Sequence, residues 1–222
     1  MLSIVIPTLN AEATLARALA PLEAAPSLGE ILVVDGGSTD QTVEIARASG
    51  ATVLVAPRGR GGQVAAGIAA AKGAWLLLLH ADTVLADDWR RDVADFMAAP
   101  ANQERAAAFR FALDDPSPAA RRLEAAVAWR CRNLGLPYGD QGLLIGRAFL
   151  DSVGGMRPLP LMEDVDLVRR VGKARLSLFA SRAITSAARY RDGYLRRSMR
   201  NLACLALYFA GMPIPLIKRL YG

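Results

Sequence analysis

Three aspartates stand where a ligand could be met: Asp35, Asp82 and Asp164, in widely separated segments, each at or just after the end of a predicted element. In a parallel sheet such ends gather on one rim, where open α/β sheets bind ligands. Each suits a different task in nucleotide chemistry. Asp35 could hold a base or ribose. Asp82 could take a divalent cation that neutralises a pyrophosphate, since Mg2+ and Mn2+ suit carboxylate and phosphate oxygens. Asp164 could deprotonate a hydroxyl, with Glu163 and Asp166 beside it. Three acids in four residues exceed what the positive end of a helix needs, and like charges this close raise one another's pKa, which suits a general base. His80, two residues before Asp82, is the single histidine of the chain and so joins no preassembled zinc set.

The elements that must position these groups follow from the pattern. Residues 31–34 are apolar and mostly β-branched, and they deliver Asp35 and the pair Gly36-Gly37. Ser38 then opens S-T-D-Q, a capping-box signature for a helix over about 39–49. Before it, a strand at 3–6 closes on Pro7, and Asn10 is predicted to cap a helix over about 11–24. After a strand at 52–55 comes PRGRGGQ, ahead of a helix predicted over about 63–72. Backbone amides at that helix start, with Arg58 and Arg60, could receive phosphate. The spacing matches neither the P-loop nor the dinucleotide pattern. The most apolar strand, 75–79, ends on His80-Ala81-Asp82, polar groups costly to bury without a purpose. A helix at 88–97, a strand at 105–113 and a helix at 117–133 lead to the polar loop Pro137-Tyr138-Gly139-Asp140-Gln141-Gly142. A strand at 143–145, helical turns at 147–153, a helix opening on Glu163, strands at 175–179 and 184–186, and a basic then apolar helix at 192–211 complete the chain.

With 222 residues, 53% of them hydrophobic, the chain can build one α/β core and is not disordered. Cys131 and Cys204 read as reduced packing residues. The opening MLSIVIPTLNAEA lacks a basic n-region and reads as a first strand, so a cytoplasmic location is expected. Net charge is +6, and Arg189, Arg191, Arg196, Arg197 and Arg200 crowd one segment against Asp192 alone. Anionic lipid, a phosphorylated substrate or nucleic acid would suit such a surface. Nucleic acid ranks last, because no zinc-finger spacing, RNP-like strand or aromatic series accompanies the arginines. The nine apolar residues 202–210 fall far short of the roughly 20 that span a bilayer. Contact with an anionic membrane surface, docking on the domain and homodimer packing stay open for this segment.

The set IVIPTLNAEATL, VVDGGSTDQT, a strand ending LHAD, and MEDVDL resembles the family 2 glycosyltransferases over Ser3 to about Leu167. The runs GRGGQ, PYGDQG and LPLMED further resemble a bacterial branch associated by name with radical-SAM/selenodomain or arsenosugar genes. The resemblance implies the GT-A fold, a single Rossmann-like α/β domain with a mixed, mainly parallel sheet flanked by helices. It divides the chain into residues 1–190, with a nucleotide-binding half to 100 and an acceptor-side half from 101, and a helical segment over 191–222. It implies metal-dependent, inverting, nonprocessive transfer of a sugar from a nucleoside diphosphate donor, UDP-linked by preference, to an acceptor hydroxyl. Asp164 would be the base, with Glu163 beside it. Asp82 would hold Mg2+ or Mn2+. Pro7, Thr8, Asn10, Glu12, Asp35, Gly37, Arg58, Arg60, Gln63, His80 and Ala81 would line the donor site with Asp82. Asp140 and Gln141 would meet acceptor or sugar. Gly36 and His80 depart from the family pattern, where acids are common, and Ala65 stands where relatives often carry asparagine. Those departures keep a catalytically silent nucleotide-sugar-binding scaffold open, and a nucleotidyltransferase is the other enzyme reading.

Overall fold

A computed structural model describes residues 1–23, 29–190 and 193–221. The expected helix end at Ala24, and Arg191 with Asp192, lie outside the described residues. So do the side chain of Arg189 and the last residue of the helical segment 191–222.

The described residues carry one eight-stranded sheet in the order β3-β2-β1-β4-β7-β6-β8-β5. β1 (Leu2–Thr8), β2 (Gly29–Asp35), β3 (Thr52–Val55) and β4 (Trp75–Leu78) are mutually parallel. β7 (Leu143–Gly146) runs antiparallel to both β4 and β6 (Ala106–Leu113). β8 (Leu176–Thr185) is parallel to β6, and β5 (Thr83–Leu85) closes the edge antiparallel to it. This is the mixed, mainly parallel sheet that the resemblance implies. Its central strands are buried on both faces, which is why they read as unbroken apolar runs.

Alternation along β1 separates two cores. Ile4 and Ile6 pack with Leu15 and Leu19 of α1 (Glu12–Glu23) and Trp89 and Val93 of α4 (Trp89–Ala98). Val5 faces the other layer, with Val64 and Ile68 of α3 (Arg60–Ala70), Phe149 of α6 (Arg147–Ser152) and Val165 of α7 (Glu163–Val171). Cys204 of α8 (Tyr194–Phe209) and Ile217 of α9 (Ile214–Tyr221) belong to that second core, so the C-terminal helices dock on the sheet layer. Cys131 of α5 (Pro118–Leu134) and Cys204 are buried free thiols.

Several boundaries differ from the sequence pattern. The two short strands predicted at 175–179 and 184–186 are one strand, β8. Ser181, between them, is held by Asp92, whose Oδ2 accepts from its N–H and hydroxyl at 2.9 and 2.7 Å. α3 begins three residues earlier than expected, at Arg60. α2 (Thr42–Ala48) begins three residues later, because Ser38 serves Asp35 instead of capping a helix. Asn10 does not cap α1. It sits at φ 50°, and the first α1 amides are taken from outside, Ala11 by the Thr42 hydroxyl and Glu12 by Asp40. α9 is additional, started by Pro213 and Pro215, residues that fit a first helical turn.

Candidate active site

β1, β2 and β4 end on the same rim, and the chain beyond each end supplies the polar groups. At the end of β2, Asp35 is 2% exposed. Its Oδ2 accepts from the N–H groups of Gly37 and Ser38 at 2.9 and 2.8 Å, and its Oδ1 from the hydroxyls of Ser38 and Thr8. Burial alone would raise this carboxyl, but the hydrogen bonds from Ser38, Gly37 and Thr8 outweigh it and hold the group below the usual carboxylate range. Four donors fill the roughly four lone-pair positions of a carboxylate. Asp35 and Thr8 therefore shape the β2–α2 turn from beneath it. Glu12 is similarly engaged, its Oε2 accepting from Gln41 N–H at 3.1 Å.

A cleft of about 270 Å³ opens beside this turn, lined among others by Pro7, Asn10, Ala81, Asp82 and Ser186. Asp82 presents a hard oxygen ligand there. Among the described residues no three His, Cys, Asp or Glu side chains converge as a self-sufficient cage. One carboxylate in an open cleft fits Mg2+ or Mn2+ of the kind that takes its remaining ligands from phosphate and water.

A second, smaller lobe of about 80 Å³ adjoins it, and Arg60 and His80 line both. Arg60 is the first residue of α3. Its Nε donates to Glu163 Oε1, one terminal nitrogen lies 3.5 Å from His80 Nε2, and the other is 3.9 Å from Asp164 Oδ2. Asp164 Oδ2 also accepts from Gly139 N–H at 2.7 Å and Oδ1 from Val165 N–H at 2.8 Å. Gly139 is required by this packing, since a Cβ there would stand 2.5 Å from His80 Nε2 and 3.2 Å from Asp164 Oδ2. The acid pair does not rise together, as its like charges alone would suggest. Burial and then the Asp164 charge push the Glu163 carboxyl up against the pull of Arg60. Burial also opposes ionisation of Asp164, yet Arg60, the Gly139 N–H, His80 and the Val165 N–H prevail and hold it below the usual range. Of the pair, Asp164 is the carboxylate at neutral pH, and Glu163 anchors the guanidinium. Met162, just before them, is held at φ 62°, a left-handed backbone uncommon outside glycine.

The structure thus gathers Pro7, Asn10, Arg60, His80, Ala81, Asp82, Asp140 and Asp164 around the two lobes. It turns others inward. Gln63 donates to the carbonyls of Thr8 and Val34, both at 2.7 Å, and its amide fills the space that a Cβ on Gly36 would need. Gln141 is 1% exposed, bonded to Phe109 O and to Arg130 and the Tyr138 N–H. Arg58 is exposed outside both lobes, and Gly37 borders open space. Residues the sequence pattern missed include Tyr138, Thr185, Tyr190, Arg197 and Asn201, which line the smaller lobe. The i, i+4 spacing of Arg197 and Asn201 on α8 was the available signal.

Fold and site place the chain among the glycosyl transferases. The model of glycosyl transferase family 2 matches residues 3–149, and the chain belongs to that family. An uncharacterized glycosyltransferase of Rickettsia typhi is 34% identical over 113 residues, 50% of this chain and 38% of that protein. One of Mycobacterium tuberculosis is 42% identical over 81 residues, 36% of each. The chain therefore spans well under half the length of these curated relatives. Among solved structures, glucosyl-3-phosphoglycerate synthase from M. tuberculosis, in complex with Mn2+ and UDP-glucose, superposes with a TM-score of 0.66 at 20% identity, covering 96% of this chain and 80% of that one. TarS of S. aureus gives 0.61 at 16% identity, covering 99% and 69%. At such identities the likeness speaks for the fold.

Proposed function

We propose that this chain transfers a sugar from a nucleoside diphosphate donor, a UDP-sugar by preference, to an acceptor hydroxyl with inversion and without processivity. The observation that carries the reading is the shared wall of the two lobes: Asp82 faces one, Asp164 the other, and Arg60 with His80 line both. A divalent cation held at Asp82 would supply positive charge for the diphosphate as it leaves. Arg60, which lines both lobes, adds a second cation on the same path. Asp164 takes the hydroxyl proton, the acceptor oxygen bonds to the anomeric carbon, and the bond from that carbon to the diphosphate oxygen breaks on the opposite side.

The finer kinship with the radical-SAM/selenodomain or arsenosugar branch is supported by how its three runs pack. Arg60 of GRGGQ bonds Glu163 of LPLMED, and Gly139 of PYGDQG bonds Asp164. A Cβ on Gly61 would strike Leu159 O at 2.4 Å, so the first and third runs fit only as a pair. We also read the outer stripe of α8 as a contact for anionic membrane. Leu195, Met199, Leu202 and Phe209 are exposed along it, with Arg196 and Arg200 alongside. No helix among the described residues is long and apolar enough to cross a membrane.

Titration of the protein with UDP, GDP and dTDP by calorimetry, with Mn2+ and then with EDTA, tests the donor assignment. Binding of one diphosphate that EDTA abolishes, and that Asp82→Ala removes, is the expected result. Asp164→Asn should keep that binding while transfer falls by about 10²–10⁴-fold, the usual contribution of a general base. Full transfer by Asp164→Asn would remove Asp164 from its role.

A further inference from the structure

The lobe that holds Asp164 is walled on one side by α8, and Arg197 and Asn201 reach it from one face of that helix. Two features make this wall a built site. Asn201 Oδ1 is buried with no hydrogen-bond partner among the described residues, a condition natural chains keep where something else supplies the donor. Arg197 lies over the Tyr190 ring at 5.6 Å, and that ring stacks on Tyr194 at 4.9 Å and 13°. The Tyr194 hydroxyl in turn donates to Asp115, which fixes the column to the start of α5. The planar guanidinium fork matches the geometry of a carboxylate or phosphate. Asp140 and Asp164 line the same lobe, and their charges favour an anionic group beside Arg197 over one beside themselves.

We propose that Arg197 and Asn201 determine acceptor specificity, selecting an acceptor that carries a carboxylate or phosphate a few bonds from the reacting hydroxyl, with Asn201 accepting from a second hydroxyl. The inference rests on the sugar-transfer reading and adds the acceptor class to it. It is tested on the full chain saturated with UDP and Mn2+, by calorimetric titration with glycerate, glycerol 3-phosphate and glycerol. At least one anionic probe should bind ten-fold or more tighter than glycerol, and which one does so tells carboxylate from phosphate. Arg197→Gln should erase that difference, Arg197→Lys should keep part of it, and Asn201→Leu should weaken every probe. The affinity for UDP with Mn2+ should change less than two-fold in all three variants. Equal binding of the three probes, or none, with UDP binding intact overturns this inference alone, as does an unchanged preference in Arg197→Gln. Absence of binding of UDP, GDP and dTDP alike in the unaltered protein overturns the sugar-transfer reading and this one with it.

Discussion

Replacing Arg60 by methionine keeps the apolar stem and removes the cation between Glu163 and Asp164. The Glu163 side chain is 3% exposed and that of Arg60 35%. Deleting one partner of a fully buried pair costs about 3–5 kcal/mol. Here the guanidinium is partly solvated and Glu163 can take up a proton, so about 2–3 kcal/mol is expected near neutral pH. For a domain this size, that lowers the melting temperature by about 4–12 °C. The sign of the pH dependence is fixed. Glu163, raised above its ordinary 4.5, holds its proton more tightly when folded, so its buried charge lowers stability as pH rises through the folded value. Without Arg60 that penalty grows. Asp164, depressed below its ordinary 3.8, contributes stability that is present above that value and lost as pH falls through the folded one. Without Arg60 that contribution shrinks. Both changes make Arg60→Met lose more at about pH 8 than at about pH 5, as read by urea unfolding at the two values. Glu163→Gln in the Arg60→Met background should recover most of the loss. Equal losses at both pH values, or no recovery in the double variant, would refute the assignment of Arg60 as the counter-charge.

Gly139→Ala should destabilise the fold by about 1–3 kcal/mol, as overpacking does, and should lower transfer more than UDP binding because it displaces His80 and Asp164; a thermal melt and a titration separate the two. Asp35→Asn should cost about 1–3 kcal/mol in urea unfolding, since one carbonyl oxygen cannot serve two amides and two hydroxyls. It should also flatten the loss of stability on acidification, because a depressed carboxyl stabilises only above its folded value. Met199→Ser with Leu202→Ser should reduce co-flotation with phosphatidylglycerol vesicles and leave neutral vesicles unaffected. A shift of mass from dimer to monomer in light scattering would instead assign that stripe to a second copy of the chain.

The strand ends were legible because apolar runs break on polar residues at Asp35 and His80, and the acids at Glu163 and Asp164 sit where a helix start tolerates them. β5 was not legible, being three residues long and defined by its pairing to β8. Direction was hidden as well. A glutamine near a loop reads the same whether it faces a ligand or a backbone carbonyl, and Gln63 and Gln141 both turned inward. α8 read as a basic stretch, since sequence alone does not say that the Arg197–Asn201 face meets a cavity while the Leu195–Leu202 face meets solvent.

Thr83 follows Asp82, Thr185 ends β8, and both hydroxyls donate to the carbonyl of Asp140, at 3.4 and 3.2 Å. One oxygen thereby joins the segment after Asp82 to the loop that carries Gly139 and to the last residue of β8. The two sides of the cleft are tied together at this oxygen. Recognition in such a frame depends on shape present before the ligand arrives, and the heat-capacity change on filling it reports the surface covered and little refolding.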